Sequence, residues 1–345
     1  MINVLVVDDS PVVAEFLCHL LRSDPEIHIL GIARNGEEAL QAAIRHKPDV
    51  ITMDIHMPEM NGFEATRRIM ETVPVPIVIV SSSYDPKEVT KTFLAIEAGA
   101  LAIVGKPQGI GHADLEQTAR ELIQTVKLMS EVKVVKRWRK RKEAVSLIEP
   151  TLKLNRSQEI HAVAIGASTG GPLVLQTILG LLPKNFSVPV LIVQHMAAGF
   201  TEGFAQWLAE TTGFPVHIAI DGQNLMVGNA YVAPDGFHMR LDKFNRIALS
   251  KDEPENGLRP SASYLLRSVL HVLGANSVGI LLSGMGKDGA NELKLLKERG
   301  AVTIVQDKET SVVFGMPGEA IKLDAADHVL PPEKIAAALK NLVAR

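Results

Sequence analysis

The chain contains one cysteine, Cys18, in 345 residues, so no intrachain disulfide can form and a reducing cytoplasm fits the count. No run approaches the roughly 18 consecutive apolar residues that a membrane-spanning helix needs. The N-terminus, MINVLVVDDS, lacks a basic segment followed by an apolar stretch and a small-residue cleavage site, and is therefore not read as a secretion signal. A basic excess is also missing. Lys plus Arg number 36 against 39 Asp plus Glu, which argues against a surface built to coat nucleic acid. No internal repeat of solenoid period is present.

What the chain does have is length for two domains, and enough apolar residues, 46%, for each half to bury a core. Short apolar runs rich in β-branched residues (Val4–Val7, Ile77–Val80, Val188–Val193, Val278–Leu282) alternate with amphipathic stretches from end to end. Such alternation predicts parallel sheets covered by helices on both faces. In the first half the pattern repeats five times, with strands expected near 2–8, 27–32, 49–53, 76–81 and 101–105. A helix from about Ala113 to Met129 closes the series, its apolar stripe formed by Leu115, Ala119, Leu122, Val126 and Met129. The period then fails. Residues 131–157 hold Lys133, Lys136, Arg137, Arg139, Lys140, Arg141 and Lys142, followed by Pro150, and read as a basic linker. A new βα series starts at Ile160. The expected organisation is a first domain over 1–128, a linker over 129–158 and a second domain over 159–345. Both domains are of the doubly wound α/β class, the first flavodoxin-like and the second a Rossmann-like three-layer α/β/α sandwich.

Three carboxylates mark the first domain. Asp8 and Asp9 follow NVLVV, and Asp54 follows VITM. Residues just beyond the strands of a parallel sheet gather at its carboxyl edge, where ligands bind. Acids crowded there repel one another unless a cation neutralises them, and hard oxygen donors suit Mg²⁺. Ser81, after IVIV, and Lys106, before Pro107, bring a hydroxyl and an ammonium to the same edge. Together the five residues describe a carboxylate that accepts a phosphoryl group with metal help.

In the second domain, Gly166-Ala167-Ser168-Thr169-Gly170 has the G-x-S-x-G form of a nucleophile elbow between a strand and a helix. A glycine-rich loop before a helix also suits phosphate, although the lysine of a P-loop and the G-x-G-x-x-G spacing are missing. By itself the motif leaves both readings open. A serine nucleophile needs a base. His217, in the alternating PVHIAI, reads as a strand side chain, and His238 stands near a strand start. His195 ends VLIVQ and so shares the sheet edge of Ser168. Asp288, in the loop SGMGKDGA, reaches the same edge, where it reads equally as a helix cap or an Asp-Gly turn. The order Ser…His…Asp differs from that of α/β-hydrolases, which argues against that fold but not against a triad.

The motifs LVVDDSP, MDIHMPEMNG, VSSS and GKP give residues 1 to about 125 a close resemblance to response-regulator receiver domains. That resemblance implies phosphorylation of Asp54 by a histidine kinase of the chemotaxis type, and Mg²⁺ held by Asp9, Asp54 and the carbonyl of His56. It also implies assistance from Asp8, movement of Ser81 toward the phosphoryl group, and pairing of that group with Lys106. Ile103 stands where many receivers carry an aromatic residue, so helix or loop motion is expected in place of an aromatic rotamer switch. Residues 160–343, through IGASTGGP, VQHMAAGFT, VAPDGFHM, RPSASYLL, SGMGKDGA and TSVVFGMPGEAI, resemble the catalytic domain of the chemoreceptor protein-glutamate methylesterase (CheB) family. Carried over by position, Ser168 corresponds to the nucleophile, His195 to the base and Asp288 to the orienting acid. Thr169, Met196 and Met285 would line the site, and N–H groups near Met285 or Thr169 would form the oxyanion hole.

The expectation is a phosphorylation-activated esterase of bacterial chemotaxis adaptation. It would hydrolyse γ-glutamyl methyl esters on chemoreceptors, deamidate their glutamines, and need no cofactor for the esterase step. It would act at membrane-bound receptors without inserting into the membrane, and bind no nucleic acid. Three rivals remain: a nucleic-acid-binding output supported by the basic run around Trp138, a non-catalytic receptor-docking regulator that keeps the esterase fold, and the same enzyme acting on receptors of a non-motility signalling system.

Overall fold

The computed structural model describes residues 1–81, 86–109, 115–134 and 159–343. The basic residues Lys136, Arg137, Arg139, Lys140, Arg141 and Lys142, together with Trp138, Pro150 and the expected helix start at Ala113, lie outside the described residues. The chain divides into two compact units, Met1–Val145 and Ser146–Arg345.

The first unit contains strands β1 (Ile2–Val7), β2 (Ile27–Ala33), β3 (Val50–Met53), β4 (Ile77–Ser81) and β5 (Ala102–Gly105). Its helices are α1 (Pro11–Leu21), α2 (Gly36–His46), α3 (Gly62–Thr72), α4 (Pro86–Ala98) and α5 (Leu115–Ser130). All strand pairs are parallel, in the order β2-β1-β3-β4-β5. Every residue of β3 and β4 is buried, as expected for strands covered on both faces. Helix α1 packs on α5, whereas α2, α3 and α4 pack in series. The helix starts are written locally: Ser10 precedes Pro11, and Asn35 and Asn61 accept from Glu38 N and Glu64 N, both at 2.9 Å.

The second unit contains β6 (Ala162–Ala167), β7 (Val190–Gln194), β8 (Val216–Ile218), β9 (Ala230–Val232), β10 (His238–Leu241), β11 (Ile247–Ser250), β12 (Ser277–Leu281), β13 (Val302–Gln306) and β14 (His328–Leu330). Its helices are α6 (Gly171–Leu181), α7 (Thr201–Thr212), α8 (Ala262–Val272), α9 (Ala290–Glu298), α10 (Met316–Lys322) and α11 (Pro332–Val343). Seven strands form one parallel sheet in the order β14-β13-β12-β6-β7-β9-β8. Helix α6 packs on α7 and α11, and α9 on α8 and α10. Burying Val163 and Ile165 of the wholly buried β6 stabilises the sheet by about 1.5–3 kcal/mol each.

The antiparallel ribbon β10–β11 departs from the expected βα alternation. Its strands are four residues each, too short to show a clear period. The turn is set by Asp242, which accepts from Phe244 N at 2.8 Å and Arg246 N at 2.9 Å, with Asn245 at φ 60°.

Candidate active sites

Each sheet has a point where consecutive connections leave in opposite directions, and there the loops part to leave a crevice at the carboxyl edge. In the first unit that point lies between β1 and β3. Asp8 and Asp9 leave β1, Asp54 leaves β3, and one carboxylate oxygen from each lies within 4.8 Å of the others. Lys106, one residue beyond β5, reaches Asp8 Oδ2 and Asp54 Oδ2, both at 2.8 Å. Asp8 and Asp54 are buried and Asp9 is exposed. Burial raises the pKa of Asp54 and neighbouring Asp8 adds to the rise, while Lys106 and the N–H of Ile55 oppose it. One ammonium against three carboxylates leaves excess negative charge among hard oxygen donors, which fits a Mg²⁺ ion. Ser81 ends β4 at the same edge and is buried; Ile103 lies within β5, half-buried. The first turn of α3 presses on this site. A Cβ at Gly62 would lie 1.9 Å from the carbonyl oxygen of Asp54, so glycine alone fits there.

In the second unit the corresponding point lies at β6, whose neighbours are β7 on one side and β12 on the other. Ala167 pairs with Gln194, so Ser168 and His195 are the next residues along adjacent strands, whose backbones run about 4.8 Å apart. His195 N donates to Ala167 O at 2.9 Å, which ties the two strand ends. Among the described residues no hydrogen bond joins Ser168 Oγ to His195.

Asp288 comes from the loop after β12. Its Oδ2 lies 2.9 Å from His195 Nε2, and both side chains are largely buried. The same carboxylate caps α8: Oδ1 accepts from Ser261 Oγ at 2.8 Å and Ser263 N at 3.1 Å, and Oδ2 from Ala262 N at 2.6 Å. Burial alone would raise its pKa. The hydrogen bonds and charge of His195, with those of Ser261 and Ala262 N, outweigh it and lower the pKa to about 2. Asp288 is therefore a carboxylate fixed by a helix N-terminus and turned toward one imidazole. The sequence predicts a cap on the helix that follows Asp288, but α9 has Gly289 at its N-cap and no side-chain cap, and the carboxylate caps α8 instead.

The turn after Ser168 needs its glycines. Gly170 has φ 82°, and a Cβ there would come within 2.7 Å of Val312 Cβ and 2.8 Å of Ser283 Oγ. Gly284, in the Ser283-Gly284-Met285-Gly286 turn, packs so closely that a Cβ would lie 2.7 Å from that of Ser168. That turn is therefore a wall of the serine site. Thr169 and Met196 are half-buried at its edge, and Met285 is 45% exposed.

The other histidines are elsewhere engaged. His217 is an exposed strand residue bonded to Asn229 Oδ1 at 2.8 Å. His238 is fully buried, stacks on Tyr264 with ring centroids 4.3 Å apart, and lies 3.2 Å from Glu253 O through Nε2. Sequence patterning did not single out four residues that brace the site. Gln194 and Ser283 hold the serine turn, Ser261 holds Asp288, and Asp235 accepts from Gly199 N in the loop after His195 and from Thr201 Oγ1 at the start of α7. For Ser261 the signal that could have found it is its position as a capping serine ahead of the apolar ASYLL; the other three act across the fold and carry no local signal.

Comparison with known proteins bears on both units. Residues 4–120 match the response regulator receiver domain, and residues 163–339 match the CheB methylesterase family. A protein-glutamate methylesterase/protein-glutamine glutaminase of Nitrosospira multiformis is 59% identical over 348 aligned residues, covering 100% of this chain and 98% of the relative. Another from Geobacter metallireducens is 57% identical and covers 99% of each. The crystal structure of the Thermotoga maritima CheB methylesterase catalytic domain is 40% identical, with a TM-score of 0.52, and spans 54% of this chain and 100% of that one. With a receiver of strand order 2-1-3-4-5 joined to this seven-stranded domain, the chain belongs to the CheB family of chemotaxis adaptation, the receiver-regulated protein-glutamate methylesterases/protein-glutamine glutaminases.

Proposed function

We propose that Ser168 is the nucleophile of the methylesterase, with His195 as its base and Asp288 holding the base in one tautomer, and that the substrates are γ-glutamyl methyl esters on chemoreceptors. The observation that carries this reading is the His195–Asp288 hydrogen bond at the end of β7, in register with Ser168 at the end of β6. Ionised Asp288 accepts from Nε2–H, which leaves Nδ1 with the lone pair that takes the Ser168 proton. Ser168 Oγ then bonds to the ester carbonyl carbon. As the tetrahedral intermediate collapses, its bond to the methoxy oxygen breaks, and methanol leaves with the proton held by His195. Water, giving its proton to the same imidazole, opens the acyl-enzyme to free glutamate and regenerates the serine. With a glutamine side chain the leaving group is ammonia. Thr169 N–H and Met285 N–H, to which no protein acceptor is bonded among the described residues, are the oxyanion donors. Thr169, Met196 and Met285 line the cleft.

In the receiver, Asp54 is the phosphoacceptor, supplied by a histidine kinase. Mg²⁺ would be held by Asp9, Asp54 and the carbonyl of His56, with Asp8 assisting, and would neutralise charge on the transferred phosphoryl group. Lys106 exchanges part of its pairing with Asp54 for a phosphoryl oxygen, and Ser81 moves to donate to another. The enzyme works in the cytoplasm, where the receptor helices and the kinase are found. No helix among the described residues is long and apolar enough to cross a membrane. Ser168→Ala in the full chain is expected to lower methanol release from methylated receptor membranes by about 10⁴-fold or more. Release near the wild-type rate would remove Ser168 as the nucleophile.

A further inference from the structure

Gln194 is the last residue of β7, 4% exposed, and has no place in the chemistry above. Its amide nitrogen donates two hydrogen bonds, to Ser168 O at 2.8 Å and to His195 O at 2.9 Å. Two carbonyl acceptors fix which end of the amide faces them, since the oxygen could bond to neither. The other end, Oε1, is buried without a hydrogen-bond partner and lies against the start of α6, where a Cβ on Gly171 would come within 2.2 Å of it. A buried acceptor left without a partner is destabilising. A stray buried glutamine would not persist at that cost, whereas one whose two donors tie the nucleophile's turn to the base's would.

The consequence follows from peptide planarity. In a trans peptide the carbonyl of one residue and the N–H of the next point in opposite directions. Pinning Ser168 O inward, between Gln194 Nε2 and Gly171 N at 2.8 Å, turns Thr169 N–H outward, and pinning His195 O does the same for Met196 N–H. Thr169 O is held inward as well, by Ser283 Oγ at 2.7 Å, and Ser168 N is held by Ser283 O at 3.0 Å. The strand-end glutamine on the other side of β6, Gln306, secures that brace by accepting from Ser283 N at 2.8 Å. The serine turn is therefore gripped on one flank by Gln194 and on the other by Ser283.

We propose that Gln194 is a positioning residue for ester hydrolysis: a single carboxamide locks the peptide planes after Ser168 and after His195, setting nucleophile, base and the Thr169 oxyanion donor in one geometry. This rests on the triad reading of Ser168 and His195. It predicts a defect in kcat and not in receptor binding, because the amide touches neither substrate nor reacting atoms.

The test compares full-length, phosphodonor-activated Gln194→Met, Gln194→Glu and Gly171→Ala with wild type and Ser168→Ala, using methanol release from methylated receptor membranes. Gln194→Met keeps the volume and removes both donors. It is expected to lower kcat by about 10²-fold, the scale of a 1 Å misplacement, with KM within about twofold. Gln194→Glu offers the two carbonyls no donor when ionised and one when protonated, so its kcat relative to Gln194→Met should rise as pH falls. Gly171→Ala retains Gln194 but drives a methyl group into Oε1, and should reproduce the kcat loss even if a Gln194 variant fails to fold. Gln194→Met with wild-type kcat, or a Glu-to-Met ratio flat across pH, overturns the proposal; the flat ratio would mean that the side chain merely fills space. If Ser168→Ala is inactive while Gln194→Met is normal, the triad stands and only this inference falls. An active Ser168→Ala removes both.

Discussion

Replacing Asp288 with asparagine separates the two tasks this carboxylate performs. Its two oxygens accept from four donors: Ser261 Oγ and Ser263 N on Oδ1, Ala262 N and His195 Nε2 on Oδ2. Asparagine has one oxygen and an NH₂ group. If the oxygen stays with Ser261 and Ser263, the NH₂ faces Ala262 N–H and His195. The imidazole can then meet it only as an acceptor through Nε2, which puts the proton on Nδ1, where the base must be free. The expected outcome is a kcat lower by about 10⁴-fold, or about 5.5 kcal/mol in the barrier, with receptor affinity unchanged. Leaving Ala262 N–H buried without an acceptor costs a further ~1–3 kcal/mol of stability. The pH dependence of that loss follows from the native carboxylate. Its folded pKa of about 2 lies below the unfolded value, so ionised Asp288 contributes on the order of 2–3 kcal/mol just above pH 4, and this contribution disappears as pH falls from about 4 to 2. The stability gap between wild type and Asp288→Asn, measured by denaturant unfolding, should therefore close over that acid range. Methanol release within about tenfold of wild type would refute the tautomer argument. A stability gap unchanged down to pH 2 would refute the charge argument.

Asp54→Asn should abolish the increase in esterase rate produced by acetyl phosphate while leaving unstimulated turnover intact; a variant that is still stimulated would mean that phosphate enters elsewhere. Gly62→Ala should have the same effect by a different route, since the added methyl group would collide with the carbonyl of Asp54. Phosphate incorporation read by Phos-tag gel should fall by about 10²-fold, the scale of a small displacement at a reacting group, and wild-type incorporation would show that the α3 start can yield without moving Asp54.

Much of this was written in local pattern. Parallel strands buried on both faces appear as short β-branched runs, so β1, β3, β4, β6, β7 and β12 fall at or within two residues of where the runs stand. The residue after such a run is at the carboxyl edge by construction, and Asp54, Ser168 and His195 could be located by that rule. Asp288 was harder. It lies seven residues past β12, and the Asp-Gly pair that suggests a turn gives no hint that the carboxylate caps α8 while holding His195. The ribbon β10–β11 and the braces Gln194, Ser283 and Asp235 were not legible, because each depends on which distant strand or loop lies alongside.

Both units use one architectural device for different chemistry, and the difference lies in what ends the strands. In the receiver the central strands end in carboxylates, so the crevice holds excess negative charge and favours a cation and a phosphoryl group. In the esterase the strands around the crevice end in or lead to Gln194, His195, Ser168 and Gln306, groups that donate or accept hydrogen bonds, and the buried acid beside them, Asp288, is already committed to a helix N-terminus and an imidazole. On the proposed mechanism, a hydroxyl next to an imidazole needs oriented N–H groups more than it needs charge. Gln194 supplies that orientation by donating to two backbone carbonyls, which an ionised carboxylate in its place could not do, while Gln306 grips Ser283 N as an acceptor. The prediction that Gln194→Glu recovers only when protonated is therefore a test of the wider argument that the esterase crevice is organised by neutral hydrogen-bond donors and the receiver crevice by charge.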